Sequence, residues 1–220
     1  LVQALITHPF GVGNAGFRIG MSEGQADTVP YGFYRKSLFA EIGLMDERLV
    51  RAQDYEFNRR ILASGGSIWM NPQIHVKYYN QSSLLDFLKK QLLLEAPYNA
   101  YMWYLAPYTF AFRHAVTAVF TTGVMGGLLL SQYFPVVKLL FLGTMALYFF
   151  LGLLSAIQQT LRYRKLLHLI TLPLSFFLYH FIHGVGVLFG LFKLLLRKAP
   201  VQKIEEPWPG AGRLRAWPVE

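Results

Sequence analysis

Charged side chains are sparse in this chain, yet many crowd into one short stretch. Asp46, Glu47, Arg48, Arg51, Asp54, Glu56, Arg59 and Arg60 all fall between residues 46 and 60. Carboxylates and guanidinium groups packed this densely around one helix start mark a candidate functional site. Simpler roles are equally open to the same residues. Asp54 stands at the start of a helical pattern, where a carboxylate can satisfy free backbone N–H groups. The arginines can pair with Asp46, Glu47 or Glu56.

A second candidate is Gly11-Val-Gly13-Asn14-Ala-Gly16, which has the spacing of the dinucleotide fingerprint. That motif works only with a strand directly before it and a helix directly after it, so that phosphate meets the helix N-terminus. Here Pro9 precedes the glycines and FRIGMSEG is a poor helix start. A tight turn, or a glycine-lined substrate loop, is the expectation. With no cysteine in the chain, thiol nucleophiles, disulfides and metal-thiolate clusters are excluded.

The elements that must hold these residues follow from the pattern. Residues 27–35 read as a strand interrupted at Pro30, 36–43 as a short helix ended by glycine, and 54–64 as a helix stopped by Gly65-Gly66. Residues 67–79 read as strand, turn at Asn71-Pro72, and strand. This alternation predicts an α/β domain over residues 1–81, small enough to be part of a larger one. The chain opens on Leu1 with no signal-peptide pattern, and a preceding piece is expected.

Composition changes sharply after this region. Apolar residues make up 54% of the chain, above the roughly 45–50% of a soluble domain, and no Asp or Glu occurs from 110 to 192. A membrane-spanning helix needs about 20 apolar residues. Residues 109–130 and 134–157 read as two spans joined by a tight hairpin, with Lys138 able to snorkel to headgroups. Residues 166–192 form a third apolar run. Segment 82–108 reads as interfacial: SSLLDFLKKQLLLEA has an amphipathic pattern, and Tyr98, Tyr101, Trp103, Tyr104 and Tyr108 suit headgroup depth. Residues 193–220 form a basic, proline-containing tail.

The net charge of +9 does not point to nucleic acid, because the basic residues flank apolar runs rather than forming a stripe with exposed aromatics. Arg162, Arg164 and Lys165 precede the third run; Lys193, Arg197, Lys198 and Lys203 follow it. If that run crosses the membrane, these two basic groups lie on opposite sides, against the tendency of Lys and Arg to remain cytoplasmic. A dipping or interfacial path removes the conflict, and Pro173 with Gly184, Gly186 and Gly190 permits a break. His168, His180 and His183 lie in this run with no acidic partner, which favours a structural or headgroup-contacting role over metal binding.

HPFGVGNAGFR, then DTVPYGFYRKSLFAEIGLMDERLVRAQDYEFNRRILASGG, then SIWMNPQIHVKYYNQSSLLDFLKKQ together resemble the acceptor-side half of family-2 glycosyltransferases of the GT-A fold. The resemblance is to membrane-anchored bacterial enzymes of succinoglycan-type exopolysaccharide assembly. It covers residues 8 to about 95 and, more loosely, the membrane tail.

The resemblance implies a partial GT-A domain followed by an α-helical transmembrane region. It implies an inverting enzyme that moves a sugar from a nucleotide-sugar donor to a lipid-linked, polyprenyl-diphosphate acceptor at the cytoplasmic face of the bacterial inner membrane. It places the general base at Asp54 and substrate contacts at Asn14, Arg18, Tyr31, Arg51, Glu56, Arg59 and Arg60. Family members use a Mg²⁺ or Mn²⁺ ion held by an Asp-x-Asp motif, which this chain lacks, so the stretch alone is expected to be inactive. It also lacks the Gln-x-x-Arg-Trp of processive synthases, which favours single-sugar transfer. The competing reading is a non-catalytic transporter subunit or scaffold, which leaves the charged cluster around Asp54 unexplained.

Overall fold

The computed structural model describes residues 1–201. The protein is mostly helical. Three short helices open it, α1 (Val2–Ile6), α2 (Pro9–Val12) and α3 (Gly16–Ile19), followed by strand β1 (Gly24–Gln25). Next come α4 (Lys36–Ile42), α5 (Gln53–Ala63) and strand β2 (Trp69–Met70). α6 (Leu84–Lys90) runs through a π-turn at Gln91–Glu95 into α7 (Ala96–Leu105). Three long helices complete the described chain: α8 (Phe112–Leu130), α9 (Pro135–Tyr163) and α10 (His168–Leu195).

Local signals place the short elements well. Gly43 ends α4 at φ 86° and Gly65 follows α5 at φ 82°, a region open to glycine at little cost. α5 turns Phe57 and Ile61 into a small core with Ile42 and Ile68.

The expected strands mostly fail to form. β1 and β2 make a two-residue antiparallel pair, Gly24 opposite Met70 and Gln25 opposite Trp69, and residues 27–35 run irregularly, with Tyr31 at φ 55°. What holds that segment is a side chain: buried Asn58 on α5 donates to Thr28 Oγ1 and the Val29 carbonyl, both at 2.8 Å, and accepts from the Tyr34 hydroxyl. The α/β expectation is thus met only by a minimal sheet in a helical setting.

The segment expected to lie at the membrane surface packs inward. Phe87 and Leu88 of α6 enter a core with Val2, Leu5, Leu172 and Phe176. Tyr98, Tyr101 and Met102 of α7 enter another with Leu49 and Tyr55. The aromatic cluster is mainly interior because α5 and α10 cover it, although Tyr104 remains exposed.

Two helices are long and apolar enough to cross a membrane, Pro135–Tyr163 and His168–Leu195. α8, where the first span was expected, is not one of them; Arg113 and His114 occupy its first turn. The third apolar run is unbroken: α10 continues through Pro173 and all three glycines. Those glycines mediate packing instead. A methyl group on Gly184 would sit 2.1 Å from both the Thr117 carbonyl and Thr121 Oγ1, and one on Gly190 would sit 2.8 Å from the Pro97 backbone. The backbones therefore meet at distances only glycine permits.

Candidate functional site

An open cavity of about 2570 Å³ lies where the irregular N-terminal segments, the start of α5 and the first turn of α8 converge. Arg18, Tyr31, Arg51, Asp54, Arg113 and His183 are among the residues that line it.

Helix geometry sorts the charged stretch into two groups. Residues two apart on an α-helix point about 200° away from each other, whereas residues four apart share a face. α5 begins after Ala52, which adopts a left-handed conformation at φ 65°, and this sharp entry sets its first turn on the cavity wall. Asp54 is exposed there. Its Oδ1 accepts the Tyr55 N–H at 2.8 Å, and among the described residues it forms no ion pair. This carboxylate is open to a ligand.

Glu56 points the other way. Glu56 and Arg60 are 0% exposed and paired through two contacts, Nε to Oε1 at 2.9 Å and Nη2 to Oε2 at 2.5 Å. Arg60 also donates to the Ile42 and Leu44 carbonyls at 3.1 and 2.7 Å, and the Tyr108 hydroxyl donates to Glu56. Burial alone lowers the Arg60 pKa, and the Glu56 pairing more than reverses this, leaving it raised. Burial, reinforced by the Glu56 carboxylate, pushes the Tyr108 phenol well above its ordinary value, so it stays a neutral donor. Neither Glu56 nor Arg60 reaches the cavity. The substrate contacts expected of them are replaced by an internal brace tying α4, α5 and the turn at Pro107–Thr109.

The remaining expected residues divide similarly. Arg59 donates to the Tyr108 carbonyl at 3.3 and 3.4 Å and lies off the cavity wall. Arg51 lines the cavity, 3.9 Å from Glu95. Arg18 lines it too, its guanidinium 5.9 Å from the Tyr78 ring centre, and Tyr31 stands 60% exposed at the rim. Asn14 accepts from Arg113 Nη1 at 3.3 Å and is not itself on the wall.

Arg113 is the participant that sequence reasoning missed. From α8 it pairs with Asp27, reaches Asn14, and lies over the Tyr55 ring at 5.4 Å, joining two N-terminal segments to the base of α5. An arginine at the head of a long apolar run was the available signal. Nor does the glycine motif hold a nucleotide site: no strand precedes it, and its residues form α2 and the start of α3. Gly11 is required for packing, since a methyl group there would sit 2.1 Å from the Leu5 carbonyl. Among the described residues no three His, Asp or Glu side chains gather as a cation site.

Fold and site together describe a carboxylate-bearing cavity built directly against long apolar helices. No protein-family model matches the chain, and no solved structure matches it. It is similar to the dolichyl N-acetyl-alpha-D-glucosaminyl phosphate 3-beta-D-2,3-diacetamido-2,3-dideoxy-beta-D-glucuronosyltransferase of Methanococcus voltae, with 28% identity over 177 residues. The alignment takes in 76% of this chain and 48% of that protein, so the chain spans about half the length of the curated relative it matches.

Proposed function

We propose that this chain forms the acceptor-side part of a membrane-associated, inverting glycosyltransferase that uses a nucleotide-sugar donor and a lipid-linked saccharide acceptor. The observation that carries the reading is the separation of the two helix-start carboxylates. Asp54 stands free on the wall of a large cavity, while Glu56 is consumed in an internal ion pair. The similarity to a glycosyltransferase whose name specifies a dolichyl phosphate-linked sugar supports this class of acceptor. The apolar helices beside the cavity suit a lipid carrier.

In the proposed step Asp54 takes the proton of an acceptor hydroxyl. The oxygen attacks the anomeric carbon from the side opposite the leaving group, a new C–O bond forms, and the bond to the diphosphate breaks with its electron pair leaving on the nucleoside diphosphate. Arg18 and Arg51, both on the wall, are among the cations that could meet acceptor or diphosphate oxygens. Any Mg²⁺ or Mn²⁺ would take its ligands from outside the described residues. The reading includes a GT-A family-2 fold for the whole enzyme, a cytoplasmic-face location, and a role in cell-surface polysaccharide assembly.

The test is transfer of labelled sugar to a polyprenyl-linked acceptor by membranes carrying the full-length protein. Asp54→Asn should abolish transfer while the protein still fractionates with membranes. Near wild-type transfer by that variant overturns the assignment of the base.

A further inference from the structure

The packing registers of the three long helices are mutually incompatible with a simple bundle. α8 and α9 form an antiparallel hairpin: Phe120 stacks on Tyr148 at 4.8 Å, and nearer the tip Gly127 abuts Phe141. α10 runs antiparallel to α9, with Pro173 beside Gly152, Phe177 on Phe149 and His180 bonded to Tyr148. Against α8 it keeps no register: Phe177 and His180 lie beside Phe120, the Phe181 carbonyl accepts from Thr121, His183 bonds Thr117, and Gly184 abuts Thr117 and Thr121. A helix lying along both legs of the hairpin would run parallel to α8 and meet residues steadily farther along it, which these contacts do not do. α10 therefore crosses the hairpin obliquely, near residues 117–121 and 148–152.

The two sides of α10 meet different surroundings. One side packs on the body: Leu172 and Phe176 join α1 and α6, and Gly186 and Gly190 press against Ala96 and Pro97. Toward its ends the other side is bare and apolar, with Ile170 and Leu174 exposed before the crossing and Phe192 and Leu195 after it. Beyond the crossing the hairpin is also bare, through Leu128, Leu129, Leu139 and Leu140. The chain carries no Asp, Glu, Lys or Arg from 166 to 192, and basic residues stand at both ends of that stretch, Arg164 and Lys165 before it and Lys193, Arg197 and Lys198 after it.

We infer that α10 lies along the surface of an anionic leaflet rather than crossing it, seated between the cavity-bearing body and the α8–α9 hairpin, with residues 162–165 and 193–198 on the same side. An interfacial helix buries an apolar face at the headgroup boundary and sets its cations in the headgroups. The helix has 28 residues, about 42 Å, so its length suits crossing as well as lying flat. The obliquity and the basic residues at both ends favour lying flat. The inference rests on the membrane association proposed above.

The chain has no cysteine, so single cysteines can be placed cleanly at Lys165, Lys198 and, as a reference on the body, Asp86, all exposed. In sealed inverted membrane vesicles carrying the full-length protein, a membrane-impermeant maleimide should label all three from the same side. Labelling of Lys165→Cys with the reference, but of Lys198→Cys only after permeabilisation, overturns the inference and leaves membrane insertion standing. Release of the protein from the vesicles by alkaline carbonate overturns both.

Discussion

Replacing Glu56 by glutamine should destabilise the protein far more than replacing Asp54 by asparagine, although both changes neutralise a carboxylate in the first turn of one helix. Arg60 is fully buried and paired with the equally buried Glu56. After Glu56→Gln the guanidinium keeps neutral acceptors such as the Ile42 and Leu44 carbonyls but loses the carboxylate, and the Tyr108 hydroxyl loses its carboxylate acceptor. Removing one partner of a buried ion pair costs about 3–5 kcal/mol because the other charge is left uncompensated. For a chain of this size about 2–4 °C of Tm accompanies each kcal/mol, so a fall of roughly 6–20 °C is expected.

Asp54 is exposed and in no ion pair among the described residues, and Asp54→Asn should stay within about 0.5 kcal/mol of wild type. Thermal unfolding in detergent micelles, followed by tryptophan fluorescence, measures both. The double variant Glu56→Gln with Arg60→Met should recover part of the loss, since no buried charge then remains. An unchanged Tm for Glu56→Gln, or equal losses for both single variants, would refute the division between a structural and a reactive carboxylate.

Asn58→Ala removes three hydrogen bonds that hold residues 28–34 on α5; about 3 kcal/mol should be lost, with faster proteolysis in that segment. Arg113→Ala should weaken sugar transfer while costing less stability than Glu56→Gln, because its Asp27 partner is partly solvated; single-turnover transfer beside thermal unfolding separates the two effects. Gly184→Ala should cost about 1–3 kcal/mol by forcing α8 and α10 apart. Gly143→Ala on α9, with nothing within 4 Å, should be neutral in the same unfolding measurement.

Local chemistry made α4 and α5 legible, because glycine stops and apolar spacing act over one or two turns. The strands at 27–35 and 67–79 were misread for the complementary reason. β-pairing needs a partner, and outside the two-residue pair of β1 and β2 those segments have none; Asn58 holds the first of them instead.

By itself the sequence determined that charge collects between residues 46 and 60, that no acidic residue occurs from 110 to 192, and that a carboxylate stands at a helix start. It also contained the spacing that parts Asp54 from Glu56, since residues two apart on an α-helix point about 200° away from each other. Only the tertiary structure decided which face turns inward, because burial depends on α4 and the Tyr108 turn arriving from distant parts of the chain. The apolar runs are likewise a matter of composition, while the path of α10 follows from glycine contacts with Thr117 and Pro97. Those contacts set the helix obliquely across the hairpin, an arrangement that exists only when three separate helices are packed together.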